Sequence, residues 1–158
     1  MPNNSEIINL GCGSKPHEDA INIDIYKGEG IDIVCDVRGG LPFGKESLSE
    51  VRAEYLLQQI LENEKFRFVM NEIWRVLKSG GLFKFKVPNA KYTTAFKDPF
   101  DCRYFTKETF DYFNSEHRRY EYYKGYGFKP WKIESLKTIS GPNNKIRDRF
   151  SVVLRKCA

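Results

Sequence analysis

Two glycines one residue apart, in Leu10-Gly11-Cys12-Gly13-Ser14, close a short β-rich run, Glu6-Ile7-Ile8-Asn9-Leu10. Such a turn lets a ligand approach the backbone, because glycine has no Cβ and adopts left-handed angles freely. Two kinds of cofactor use turns of this type. A dinucleotide needs a third glycine three residues after the second, and a helix N-terminus aimed at its pyrophosphate. Here Pro16 stands at the third position, and only seven residues separate Gly13 from Ile21, room for one or two helical turns or none. The next acid at a strand end, Asp24, comes 13 residues after Gly11, where a dinucleotide site wants one after about 20. The turn therefore suits a cofactor without phosphates, and a dinucleotide oxidoreductase is disfavoured. Further along, Asp98, Asp101 and Arg103 lie together in one loop with Tyr104. An arginine flanked by acids either forms a structural ion pair or meets a substrate.

The elements that must position these groups follow from periodicity. Ile21-Asn22-Ile23-Asp24-Ile25 alternates apolar and polar residues, and Ile31 to Val37 reads as a third, mostly buried strand before Gly39-Gly40-Leu41-Pro42. Leu48 to Ala53 is a weaker fourth strand. Short strands that each end near Gly, Asp or Pro predict an open α/β sheet. Between Glu64 and Lys78, Phe66, Val69, Met70, Ile73 and Leu77 fall on one helical face. Asn63 is placed to cap that helix, and Gly80-Gly81 to end it. Leu82 to Val87 then alternates with period two up to Pro88. From Tyr92 to Trp131 the pattern loosens: 14 of 40 residues are aromatic, and Thr106 is placed to cap a short helix through Phe113. Trp131–Ile139 and Phe150–Leu154 predict an antiparallel hairpin around Gly141-Pro142-Asn143-Asn144. The chain reads as one domain over residues 1–158, with an aromatic-rich insertion or lid at about 91–130.

Composition narrows the classes further. Among 158 residues, Lys+Arg number 26 and Asp+Glu 21, with 41% hydrophobic residues. Mean hydropathy is −0.55, and no run approaches the roughly 18 apolar residues of a spanning helix. Met1 to Glu6 lacks a basic region followed by an apolar one, so no secretory signal is expected. Cys12, Cys35, Cys102 and Cys157 form no CxxC pair, which argues against a disulfide staple or a zinc site and fits a reducing cytoplasm. Charge is uneven. Residues 1–80 carry 9 basic and 13 acidic side chains, and residues 81–158 carry 17 and 8. The basic second half is either a solvated face or the side that meets an anionic partner.

Taken in order, LGCGSKP, INIDI, DIVCDVRGGLPF and NEIWRVLKSGGLFKFKVPN resemble the class I S-adenosylmethionine-dependent methyltransferases. The resemblance is to their small, methyltransferase type 11-like branch with a shortened first helix. It covers Ile7 to Asn89 most clearly. It implies a Rossmann-like open twisted sheet, mostly parallel with an antiparallel C-terminal hairpin strand. Helices are expected on both faces, the first shortened or missing. It also implies the cofactor S-adenosylmethionine, with S-adenosylhomocysteine as product and no metal. By matching positions, Leu10, Gly11, Cys12 and Gly13 give room for the methionine and ribose parts. Asp24, with Ile25 beside it, accepts both ribose hydroxyls, since a carboxylate is acceptor-only. Asp36 accepts from the adenine amino group, with Val37 against the ring. Glu54 stands where the family contacts methionine or substrate. The chain departs from the family at Asn9, where an acid is common. It departs again at Tyr55, Gln58, Gln59 and Asp101, where many relatives carry His or Glu-His.

The implied reaction is direct displacement at the sulfonium methyl, which requires an acceptor held in line and water excluded. Tyr55, Asp101, Arg103 and Tyr104 are the residues expected to orient the acceptor or take its proton. The acceptor expected is a small molecule or a sugar-containing, glycan-type compound, including anionic ones. Two further readings stand beside this one. A cofactor-binding partner subunit without catalysis is consistent with the lost histidines. A nucleic-acid methyltransferase is consistent with a pI of 9.0 and with aromatics mixed among Lys and Arg, although no Asn/Asp-Pro-Pro-Tyr/Phe motif follows the fourth strand. No membrane partner is expected.

Overall fold

The computed structural model describes residues 5–143 and 145–158. The amino-terminal stretch read for a secretory signal therefore lies largely outside the described residues, as does Asn144 of the hairpin turn. Seven strands form one sheet: β1 (Ile7–Leu10), β2 (Ile21–Asp24), β3 (Ile33–Val34), β4 (Leu48–Glu54), β5 (Leu77–Pro88), β6 (Trp131–Ile139) and β7 (Arg149–Lys156). Their spatial order is β3-β2-β1-β4-β5-β7-β6. The first five are parallel, and β7 pairs antiparallel with both β5 and β6. The chain runs outward from β1 through β2 to β3, then returns to place β4 on the other side of β1. In open α/β sheets, ligands bind outside the carboxyl ends of the strands at such a reversal of order. Gly11 follows β1 and Tyr55 follows β4, so both stand at that crevice.

Residues paired in register share a face. Ile8, Leu10, Val51, Ala53, Phe83, Phe85, Val152 and Leu154 therefore make one apolar face, all of it buried. Helix α1 (Asn63–Val76) buries Phe66, Val69, Met70 and Ile73 in the same core. The aromatic segment contributes Phe105, Phe110 and Phe113, each almost fully buried, and β6 contributes Trp131.

Coverage of the two faces is uneven. The second face carries Asn9, Asn22, Glu50, Arg52, Glu54, Lys84 and Lys86. No α-helix joins β1 to β2, β2 to β3 or β3 to β4; the last connection holds a single 3₁₀ turn, Val37–Gly39. The reason is chemical. A polar sheet face cannot bury the apolar stripe of an amphipathic helix. Here Asn22 accepts from the His17 N–H at 2.8 Å and donates to the His17 carbonyl at 2.9 Å. The loop between β1 and β2 is thus pinned where a first helix would lie.

Several boundaries differ from expectation. Strand β3 shrinks to two residues, and Val34 is exposed, because it lies at the sheet edge. Asn63 is the first residue of α1 rather than its cap; its Oδ1 accepts from Arg103 Nη2 at 3.0 Å, and Glu62 takes the cap position without a side-chain bond. The helix ends at Val76, and β5 begins at once with Leu77, so Gly80-Gly81 lies within a strand instead of ending a helix. Gly80 has φ +75°, and the β4–β5 register shifts there. The segment after Thr106 winds as a 3₁₀ helix, Lys107–Tyr112. The hairpin strands fall as expected, with β7 longer by a residue or two at each end. Among the described residues, no helix is long and apolar enough to cross a membrane.

Candidate functional site

Gly11 and Gly13 have φ +62° and +53°, the left-handed angles that admit glycine with least strain. The Gly11 N–H bonds the Ile23 carbonyl at 2.8 Å, and the Gly13 N–H donates to Asp24 Oδ2 at 2.9 Å. The other oxygen of Asp24 accepts from the Tyr26 N–H at 3.0 Å. A strand-end carboxylate therefore fastens the turn. A Cβ on Gly13 would meet nothing within 4 Å. A cleft of about 630 Å³ opens here, lined by Gly13, Pro16, Asp24, Tyr26, Gly28 and Gly30 among others. Leu10 and Cys12 are buried, and Ile25 is exposed. Burial and the Asp24 carboxylate both push the Cys12 thiol up from its ordinary value. On its other side the turn is close to Leu56, whose Cδ1 lies 3.2 Å from where a Gly11 Cβ would be.

Asp36 is differently engaged. It caps the Val37–Gly39 turn by accepting from the Arg38 N–H at 2.9 Å, and it forms a fork with the Arg38 guanidinium at 2.8–3.2 Å. Hydrogen bonds from Arg38 hold its carboxyl below the usual range. Val37 beside it is buried in the core. Glu54 ends β4 on the polar sheet face and pairs with Lys86 at 2.9 Å.

Tyr55 has φ +59°, a strained angle for a bulky residue. Its N–H bonds the Lys86 carbonyl, and its carbonyl accepts from Gln58 Nε2, both at 2.9 Å. Its phenol oxygen accepts from Arg149 Nη1 at 2.8 Å, and that guanidinium lies 5.0 Å from the ring centre. Such over-determined strain clusters at functional sites. Gln58 is buried, and its Oε1 has no hydrogen-bond partner among the described residues.

Asp101 accepts from Gln59 Nε2 at 3.3 Å, which ties it to the loop after β4. Burial raises its pKa, and the Asp98 carboxylate adds to the rise. Asp98 itself accepts from the Phe100 N–H in a local turn. Tyr104 donates to the Asp101 carbonyl at 3.2 Å and packs its exposed ring on Phe96. Arg103 turns the other way. It donates to the Ile60 and Leu61 carbonyls and to Asn63, and its guanidinium lies 4.1 Å over the Phe66 ring. Of the two readings of this arginine, the ion pair with Asp98 or Asp101 is not formed.

The structure thus brings Gly11, Gly13, Asp24, Tyr55 and Asp101 to one edge of the sheet. Asp36 stands beside them with its carboxylate already paired, and Glu54 and Arg103 are drawn into contacts of their own. Sequence reasoning missed Arg38, Leu56 and Arg149. Arg38 was detectable, as a base two residues after an acid. Arg149 was not, being 94 positions from Tyr55.

No protein-family model matches the chain, and no curated protein matches it. Solved structures do. An S-adenosylmethionine-dependent methyltransferase from Archaeoglobus fulgidus matches with a TM-score of 0.65 at 16% identity, over 95% of this chain and 85% of that one. One from Methanosarcina mazei matches with 0.63 at 14%, over 96% and 92%. The 1,6-didemethyltoxoflavin-N1-methyltransferase of Burkholderia thailandensis, solved with its substrate and S-adenosylhomocysteine, matches with 0.66 at 11%, over 96% and 71%. By this overall likeness in shape, the chain has the class I fold of the S-adenosylmethionine-dependent methyltransferases.

Proposed function

We propose that the chain binds S-adenosylmethionine across the glycine turn and transfers its methyl group to a small-molecule or sugar-containing acceptor. The observation that carries this reading is the bond from the Gly13 N–H to Asp24 Oδ2, which sets a carboxylate at the tip of β2 beside two left-handed glycines. The residues fit the cofactor. Asp24 keeps lone pairs for a vicinal diol, because a carboxylate offers about four acceptor sites and two are used. Gly13 leaves open space for the ligand, and exposed Ile25 supplies apolar surface for a purine. The short loop after β1 offers no helix N-terminus to a pyrophosphate.

When bound, the cofactor supplies an electrophilic methyl on a sulfonium. The chain's own part is to orient the acceptor and to receive a proton where the acceptor must lose one. Asp101 is the group we assign to that proton, because Gln59 ties its carboxylate to the loop after β4 and burial raises its pKa. Tyr55, held by Arg149 at its oxygen, retains its own O–H to donate to an acceptor. The exposed stretch from Phe96 to Tyr104 forms the covering side of the site.

A second reading, a binding module without turnover, is favoured by the engagement of Asp36, Glu54 and Arg103 with protein partners. The discriminating experiment supplies S-adenosylmethionine with fractionated cell extract and measures S-adenosylhomocysteine by mass spectrometry, alongside calorimetric binding. Product formation supports the enzyme. Binding without product supports the module. No binding overturns both.

A further inference from the structure

We propose that the cavity between the start of α1 and the aromatic segment binds a planar anionic molecule, an aryl carboxylate or aryl phosphate. It measures about 440 Å³, within the range of small-molecule pockets. Phe66, Tyr112, Tyr126 and Phe128 line it, together with Arg67 and Arg103. The rings of Tyr112 and Tyr126 lie within 6° of parallel, 5.8 Å apart, and Phe128 stands edge-on to Phe66. A planar ligand extends such an arrangement by offset stacking.

The charge at this cavity is uncompensated. Arg103 donates only to neutral oxygens, the Ile60 and Leu61 carbonyls and Asn63 Oδ1. Arg67 donates to the Tyr126 carbonyl at 3.3 Å. Neither meets a carboxylate among the described residues, whereas Arg38, Arg52, Arg75 and Arg155 each pair with one. Burial pulls Arg103 below its ordinary pKa, as it does for a cation lacking a counter-charge. A half-buried cation of this kind gains most from an anion, and the guanidinium fork matches carboxylate and phosphate oxygens. Nη1 of Arg103 donates to no protein atom among the described residues, which leaves it for that contact. The inference does not depend on what the glycine turn binds.

The test titrates the whole chain with 2-naphthoate, 2-naphthyl phosphate and neutral 2-naphthamide, read by calorimetry and by the amide resonances of Thr109 and Gly125. We expect saturable binding of at least one anion, with the amide at least tenfold weaker; which anion binds tighter distinguishes carboxylate from phosphate as the natural group. Gly125 lines the cavity, and a Cβ there meets nothing within 4 Å. Gly125→Leu should therefore keep its melting temperature and lose anion affinity at least tenfold. Arg67→Gln should weaken the anions and leave the amide unchanged. Equal binding of amide and anions, unchanged affinity in Gly125→Leu, or no saturation at millimolar concentration overturns the proposal. Binding of S-adenosylhomocysteine to Gly125→Leu, expected at the wild-type level, keeps this outcome separate from that of the glycine turn.

Discussion

Asp24 divides its carboxylate between the glycine turn and the Tyr26 amide, and the reading of the site rests on the lone pairs that remain. Two charge-assisted bonds from a ribose, at about 1.5 kcal/mol each, amount to about 3 kcal/mol, or about 100-fold in affinity. Asp24→Ala should lose that much S-adenosylhomocysteine binding by calorimetry while the far-ultraviolet spectrum is retained; an affinity within a factor of about two of wild type would remove Asp24 from the ribose. Asp36 poses the opposite case. Arg38 already occupies both its oxygens, so Arg38→Ala should tighten S-adenosylhomocysteine binding by freeing an acceptor for the adenine amino group. Unchanged affinity would mean that Asp36 does not read adenine. At this scale the sequence was informative where partners are local. An acid at the end of β2 must lie beside a turn at the end of β1, because the two strands are parallel neighbours. The ties of Arg103 to Ile60 and Leu61, and of Arg149 to Tyr55, join residues more than forty positions apart and leave no periodic trace.

The elements were legible in proportion to their apolar patterning. Strands β5 and β7 alternate strongly, and α1 carries a clean apolar stripe, so their existence could be read directly. Their ends could not, because Asn63 found a side-chain partner from a distant loop and β5 began without a connecting turn. The polar sheet face was written in the same alternation, as Glu50-Val51-Arg52-Ala53-Glu54 beside Phe83-Lys84-Phe85-Lys86. On that face Glu50 lies between Arg52 and Lys84. Burial pushes its carboxyl up, but hydrogen bonds from Lys84 and Arg52 more than offset this and hold it below its ordinary 4.5. A depressed carboxyl contributes stability that is present above 4.5 and is lost as pH falls through its folded value. Glu50→Gln should therefore cost about 1–3 kcal/mol at neutral pH. The gap from wild type, followed by thermal melting, should narrow as pH falls below 4.5. A gap that is constant from pH 7 to pH 3 would mean that the cost is one of packing, not charge.

At the scale of the whole molecule, the aromatic segment and the sheet share one core. Phe110 is fully buried. Its ring stacks on Phe105 within 9° of parallel, meets Phe150 of β7 edge-on at 5.3 Å, and lies 6.0 Å from Phe85 of β5. One side chain thus joins the segment to two neighbouring strands, while Phe66 of α1 reaches the same cluster through Phe105 and Phe113. With the polar face giving little apolar burial, stability depends on the covered face. Removing the Phe110 ring leaves a cavity among residues that a rigid sheet prevents from collapsing, at about 3–5 kcal/mol. Phe110→Ala should then lower the urea midpoint by the same amount whether unfolding is followed by Trp74 and Trp131 fluorescence or by far-ultraviolet circular dichroism, since Trp131 belongs to this core and Trp74 packs against it. Separate midpoints for the two signals would mean that the aromatic segment opens on its own, and the covering role assigned to its exposed part would then rest on a hinge rather than on an anchored loop.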